Sequence, residues 1–207
     1  YLWLAIFPLA EQQRWAWWTL VLSSGVGFLS FLSYVGYGYL DSWHGVALLG
    51  LLPIFGAGLA FTWHRIPWRT ASVVLRCRHM PRTTVALGWL ILTLVALGLI
   101  AGGLVITLVG ATTVFVPQDL AYINATPAQL HALSHHLIPV IAHDRAAFGG
   151  ALCATGSAML GMLLFAPPSR HLWQVIGLAG GIGFGCAVGV HWVVGYTDLT
   201  HLLPAYV

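Results

Sequence analysis

The chain has 207 residues, of which 59% are hydrophobic and only 6% charged, and its mean hydropathy is +0.87. Soluble domains carry roughly 25% charged residues, so the composition excludes an ordinary soluble fold and points to an integral membrane protein. The net charge of +3 and a pI near 9.0 come from eight arginines and no lysine; these lie in loops, which argues against a nucleic-acid surface and for a record of membrane orientation. Cys77, Cys153 and Cys186 show no CxxC or CxxH spacing, so neither a disulfide framework nor a zinc knuckle is expected.

A helix crossing a roughly 30 Å hydrocarbon core needs about 20 apolar residues. The first nine residues are too short for that and read as the tail of an earlier span; 202 onward reads as the head of a later one, so the sequence looks like an interior portion of a longer protein. Between them the hydropathy predicts five spans, at about 15–38, 45–63, 85–113, 146–166 and 172–195. The expected fold is therefore all-α, a polytopic transmembrane helix bundle. Its expected divisions are a first membrane unit at 1–63, an arginine-rich linker at 64–84, a helix at 85–113, an outer segment at 114–145 and a second membrane unit at 146–207.

Cytoplasmic loops retain Lys and Arg. Arg14, Arg65, Arg69, Arg76, Arg78, Arg82 and Arg170 all fall on one side under alternation, with Arg145 alone on the other. Loops 10–14, 64–84 and 167–171 are thus expected in the cytoplasm of a bacterial inner membrane, and 39–44, 114–145 and 196–201 outside. Trp15, Trp17, Trp18, Trp63, Trp68 and Trp173 flank the inner ends, as interfacial tryptophans do.

The outer face then collects most of the polar chemistry. "GYLDSWH" at 38–44 returns as "GYTDLTH" at 195–201, each after an apolar run containing "GVGF" or "GIGF". Both copies run in the same direction, which predicts a parallel internal repeat. Asp and His at i and i+3 share a helix face, so Asp41, His44, Asp198 and His201 could supply four donors to a divalent metal; the alternative is two helix starts with aspartates as caps. "AHDR" adds His143, Asp144 and Arg145 to this outer-face set.

Three further features carry candidate roles. "TPAQLHALSHH" starts like a helix, with Thr126 as cap, Pro127 in the first turn and Gln129 after it, and predicts an amphipathic surface helix with Leu130, Leu133 and Leu137 on one side and His131 and His135 on the other. His191, inside the last complete span, could ligate a haem or another tetrapyrrole, or bond to a neighbouring helix. Gly177, Gly181, Gly185 and Gly189 form a GxxxG row suited to close helix packing.

"IAHDRAAFGG" and "GYTDLTHLLPAY" resemble segments of multi-pass bacterial inner-membrane proteins. The resemblance covers about the C-terminal third; it implies the setting and carries no activity. The spans hold almost no ionisable residues, whereas ion and proton paths leave such residues at membrane depth. The expected function is accordingly a non-catalytic accessory or scaffold subunit of a larger respiratory or photosynthetic membrane complex, in contact with the bilayer and other subunits and not with nucleic acid. The competing expectation is a membrane enzyme or metal-binding protein with its site at Asp41, His44, His143, Asp144, Arg145, Asp198 and His201; a transporter, resting on the repeat alone, comes third.

Overall fold

A computed structural model describes residues 1–37, 42–63 and 84–199; Asp41, His201, Trp68, Cys77 and the five arginines of the 64–84 linker lie outside the described residues. Every described element is helical. A short α1 (Leu2–Leu4) runs into a π-helical turn at Ala5–Leu9, followed by α2 (Arg14–Phe31), α3 (Ser33–Tyr37), α4 (Ser42–Trp63), α5 (Thr84–Ala111), α6 (Pro117–Ile123), α7 (Pro127–Leu133), α8 (Leu137–Phe165) and α9 (Arg170–Val194). Four of these, α4, α5, α8 and α9, with 22, 28, 29 and 25 residues, are long and apolar enough to cross a membrane. At about 1.5 Å per residue each exceeds the roughly 30 Å required.

The first expected span, 15–38, is built differently. Its helix stops at Phe31 after 18 residues, and α3 starts again after Leu32. Arg14, Thr19, Ser23, Ser24 and Ser30 lower its apolar content, and the Ser30 hydroxyl donates to the Gly27 carbonyl at 2.8 Å, one residue before the helix ends. Such back-bonding competes with the helical ladder.

A second boundary also moves. Sequence analysis ended the outer segment at 145 and began the next span at 146; α8 instead starts at Leu137, so His143, Asp144 and Arg145 lie within the helix. Pro139 is in its first turn, where no intrahelical N–H is needed, and Leu137, Ile138, Val140 and Ile141 extend the apolar run ahead of the charges. The expected amphipathic helix is correspondingly shorter. Helix α7 ends at Leu133, with Leu130 buried, Leu133 78% exposed and Leu137 on the next helix, so the three leucines form no common face. A turn at 134–136, in which the His136 N–H donates to the Ser134 hydroxyl at 3.2 Å, separates them.

The chain divides into two compact units, residues 1–115 with 127–166, and 116–126 with 167–207. In the first, α8 lies between α5 and α2 and antiparallel to both. Its α5-facing side reads Ala142, Ala146, Gly149, Cys153, Gly156, and the facing residues of α5 read Ala96, Ile100, Gly103, Thr107, Gly110. Both follow the 4-3-4-3 spacing of an interlocking helix seam. A Cβ placed on Gly103 would meet the Cys153 amide nitrogen at 2.7 Å, and one on Gly156 the Ala96 carbonyl oxygen at 2.7 Å, so the two backbones touch. Small residues permit this approach, and hydrogen bonds between helices add to it: Trp89 Nε1 donates to Leu163 O at 3.1 Å, Cys153 Sγ to Ile100 O at 3.3 Å and Thr107 Oγ1 to Ala146 O at 3.4 Å. The other side of α8 offers Gly150, Ala154 and Gly161 to Ser30, Gly27 and Thr19 of α2.

Helix α4 flanks α2. Phe28 meets Phe55 with centroids 5.5 Å apart, and Trp17 packs on Trp18 at 5.0 Å and Trp63 at 4.7 Å while its indole N–H donates to Leu59 O at 3.1 Å. These tryptophans therefore pack on one another edge to face or tilted. Trp17→Phe keeps an aromatic ring but removes the N–H and part of the ring volume, and is expected to cost about 1 kcal/mol of stability or more, read as a lowered unfolding temperature in detergent with unchanged helix content.

The second unit holds α6 and α9. Ser169 caps α9, its hydroxyl accepting from Leu172 N–H at 3.1 Å. At the other end Gly195 adopts φ +75°, a left-handed C-cap whose N–H bonds back to Trp192 O at 3.3 Å. That conformation is open to glycine at little steric cost, which explains the first residue of "GYTDLTH". The first copy of this motif follows the five-residue α3 and the second an uninterrupted 25-residue helix, so the structure does not display a parallel repeat.

Candidate functional site

In the first unit the ends of α2, α3, α4 and α5 gather around the start of α8. His143, 1% exposed, sits in the second turn of α8, and its Nε2 lies 3.2 Å from Nε2 of His44, in the first turn of α4 and 99 residues away in sequence. The two rings are 5.0 Å apart and inclined at 78°. Phe31, the last residue of α2, stacks on His44 at 5.2 Å and presents an edge to His143 at 5.9 Å. Tyr37 closes the neighbouring gap, its hydroxyl donating to Gly110 O at 3.0 Å across α3 and α5.

Of the outer-face residues expected from sequence, His44 and His143 are brought together. Asp144 stands beside them, with Oδ1 3.9 Å from His143 Nε2 and its side chain 69% exposed. Arg145 turns elsewhere, its guanidinium 5.9 Å from the centre of the Phe115 ring, a distance at which a cation is drawn to the π face. Phe31 and Tyr37 were not singled out in the sequence, because nothing in an apolar run distinguishes an aromatic that faces lipid from one that covers a histidine.

In the second unit, Asp119 is 4% exposed. Its carboxylate accepts from the Val116 N–H at 2.8 Å and from the Tyr196 hydroxyl at 3.1 Å. The Tyr122 hydroxyl donates to Val194 O, and the Tyr122 and Tyr196 rings lie 4.7 Å apart. Asp119 thus caps α6 and ties it to the residues that follow α9. The sequence carried a signal for it: Pro117 and Asp119 are the first and third residues of a helix, the positions where a proline and a carboxylate suit a helix start. Asp198 also belongs to this unit.

Of the expected four-donor metal set, Asp41 and His201 lie outside the described residues; among the described residues no three His, Cys, Asp or Glu side chains stand together to hold a metal ion. His131 and His135 do meet, with Nε2 and Nδ1 2.9 Å apart on an exposed turn, as two donors only. The Nδ1 of His191 lies 2.6 Å from Ala187 O, one turn earlier on the same helix, which makes that nitrogen the donor and the bond intrahelical. Among the described residues, a Cβ at Gly181, Gly185 or Gly189 of the α9 glycine row would find no atom within 4 Å, and at Gly177 only Trp173. The glycines that do pack closely are those of α5 and α8.

The fold defines a class, an all-helical chain with four helices long and apolar enough to cross a membrane. The chain matches no protein family, no curated protein and no solved structure.

Proposed function

We propose that the chain is a non-catalytic helical subunit of a larger assembly in a bacterial inner membrane, of the respiratory or photosynthetic kind. The observation that carries this reading is where charge occurs in the four long helices. Asp, Glu and Arg side chains are confined to Asp144 and Arg145 near the start of α8 and Arg170 at the start of α9; α4 and α5 have none. Ion and proton pathways place ionisable groups at membrane depth, whereas the middle turns of these helices carry Gly, Ala, Ser, Thr and apolar side chains, and their histidines, His44, His143, His171 and His191, all lie within two turns of a helix end. The loops at 10–14, 64–84 and 167–171 face the cytoplasm under the same reading, by the distribution of arginine.

Extraction of the native protein in mild detergent tests this. The expected result is co-migration with other membrane proteins and loss of that association in Gly181→Leu or Gly185→Leu, with helix content and unfolding temperature unchanged because no described residue lies within 4 Å of a Cβ at either position. Migration of the native chain alone, at its own 22.3 kDa plus detergent, would overturn the proposal. The enzyme or metal-binding alternative is favoured by one observation, the convergence of His44 and His143, and stoichiometric metal in the purified protein is the result that would raise it above the first.

A further inference from the structure

The His44–His143 contact has a chemistry of its own, independent of whether the chain has partners. Two imidazole Nε2 atoms 3.2 Å apart are held together only if one carries a proton and the other offers a lone pair. In the neutral pair one ring is therefore the Nε2–H tautomer and the other the Nδ1–H tautomer. A first added proton goes to Nδ1 of the donor ring and leaves the N–H···N bond in place, now charge-assisted and shorter in character. A second has to occupy the accepting Nε2 itself. It removes the lone pair that makes the bond and sets two imidazolium rings side by side with centroids 5.0 Å apart, against the Phe31 ring, where little water screens them.

The two histidines sit on different helices, and their contact joins the first turn of α4 to the second turn of α8. We propose that His44 and His143 form a proton-controlled latch between α4 and α8, closed with none or one added proton and open with two. Proton chemistry is preferred here to a metal because, among the described residues, the next carboxylate, Asp144 Oδ1, is 3.9 Å from His143 Nε2 and mostly solvent-exposed, and no three metal-binding side chains stand together.

Among the described residues the charged and titratable neighbours are few. On α8 itself stand Asp144, 3.9 Å from His143 Nε2, and Arg145, drawn to the Phe115 ring. Cys153 lies further along α8 and bonds to Ile100 O. From α3 comes Tyr37, bonded to Gly110 O. Helix α7 packs on α8 and contributes His131, paired with His135 beyond its end. Helix α4 has no titratable residue besides His44, α5 has none, and that of α2, Arg14, is at the opposite end of its helix from Phe31.

Amide hydrogen exchange on the full chain in lipid nanodiscs, corrected for the intrinsic pH dependence of exchange, tests the latch. As pH falls from about 8 to about 4, protection of the first two turns of α4 is expected to hold and then to drop by about tenfold or more, while α5 and the second half of α8 stay protected. His44→Phe, which keeps a flat ring beside Phe31, is expected to remove the step. Persistence of the step in His44→Phe, or its absence from the native protein, would overturn the proposal. Should the variant fail to fold, ring nitrogen NMR of the native protein still decides: two opposite tautomers with an N–H···N coupling at neutral pH support the latch, and two identical tautomers refute it. Metal retained in proportion to protein and lost in His44→Phe refutes it as well.

Discussion

Gly149→Val is expected to lower the stability of the first unit by about 3 kcal/mol or more, the upper end of the cost of overpacking a close-fitted site. A Cβ at Gly149 would lie 2.5 Å from the Gly103 carbonyl oxygen and 2.6 Å from the Thr107 amide nitrogen, and the Thr107 hydroxyl is nearer still. Two of these atoms are backbone of a long helix, so no flexible side chain can give way; α5 and α8 have to separate. Separation then breaks the contacts of Gly103 with Cys153, Gly110 with Ala146 and Gly156 with Ala96, because one rigid seam carries them all. Unfolding in detergent, followed by circular dichroism, should show a large fall in midpoint for Gly149→Val and a change within about 0.5 kcal/mol for Gly185→Val, which enters open space. Equal effects at the two positions would show that the α5–α8 seam is not the tight interface described.

Asp119→Ala is the second large effect, confined to the other unit. The carboxylate is buried and accepts two hydrogen bonds, from the Val116 N–H and the Tyr196 hydroxyl. Its removal deprives α6 of its helix-start acceptor, a loss of about 1 kcal/mol. It also leaves the Tyr196 hydroxyl without its acceptor, and bonds to charged groups are worth about 1.5–3 kcal/mol. The expected result is a loss of about 2.5–4 kcal/mol, seen as faster amide exchange through 116–120 and 194–196 with the α5–α8 seam unaffected. Asp119→Asn, which keeps the shape and an acceptor oxygen but not the charge, should lose about half as much; equal losses from the two variants would mean that the negative charge, not the position of an acceptor oxygen, is what matters.

The long helices were readable because their signal is additive. In α4, α5, α8 and α9 some twenty apolar residues in a row outweigh any local exception, including Pro53 in the middle of α4. Boundaries were less readable where the exception was charged: Asp144 and Arg145 looked like the edge of a span, yet an α-helix tolerates both, and α8 starts eight residues before Arg145. The interruption at Leu32 had no comparable signal in the sequence: the Ser30 hydroxyl bonds to Gly27 O just before it, yet Thr93 and Thr155 make similar bonds inside unbroken helices.

The glycines show the limit most clearly. The regular row at 177, 181, 185 and 189 drew attention as a packing face, and among the described residues no side chain or backbone packs on its last three members. The interface formed instead at Gly103, Gly110, Gly149 and Gly156, spaced by seven, where Ala, Cys, Ile and Thr complete the pattern. A small residue says only that another backbone can come close. Which backbone does so depends on the partner helix having its own small residues at matching heights.

The candidate site divides along the same line. From the residues alone came the all-helical membrane class, the gathering of histidines and aspartates in a few polar segments, and the interest of "HDR", since these depend on composition and order along the chain. The pairing of His44 with His143 over 99 intervening residues, the covering of that pair by Phe31, the turning of Arg145 to Phe115 and the binding of Asp119 to Tyr196 were decided only by the tertiary structure. Each depends on the height and rotation at which one helix meets another, and the shape of the whole seam sets both.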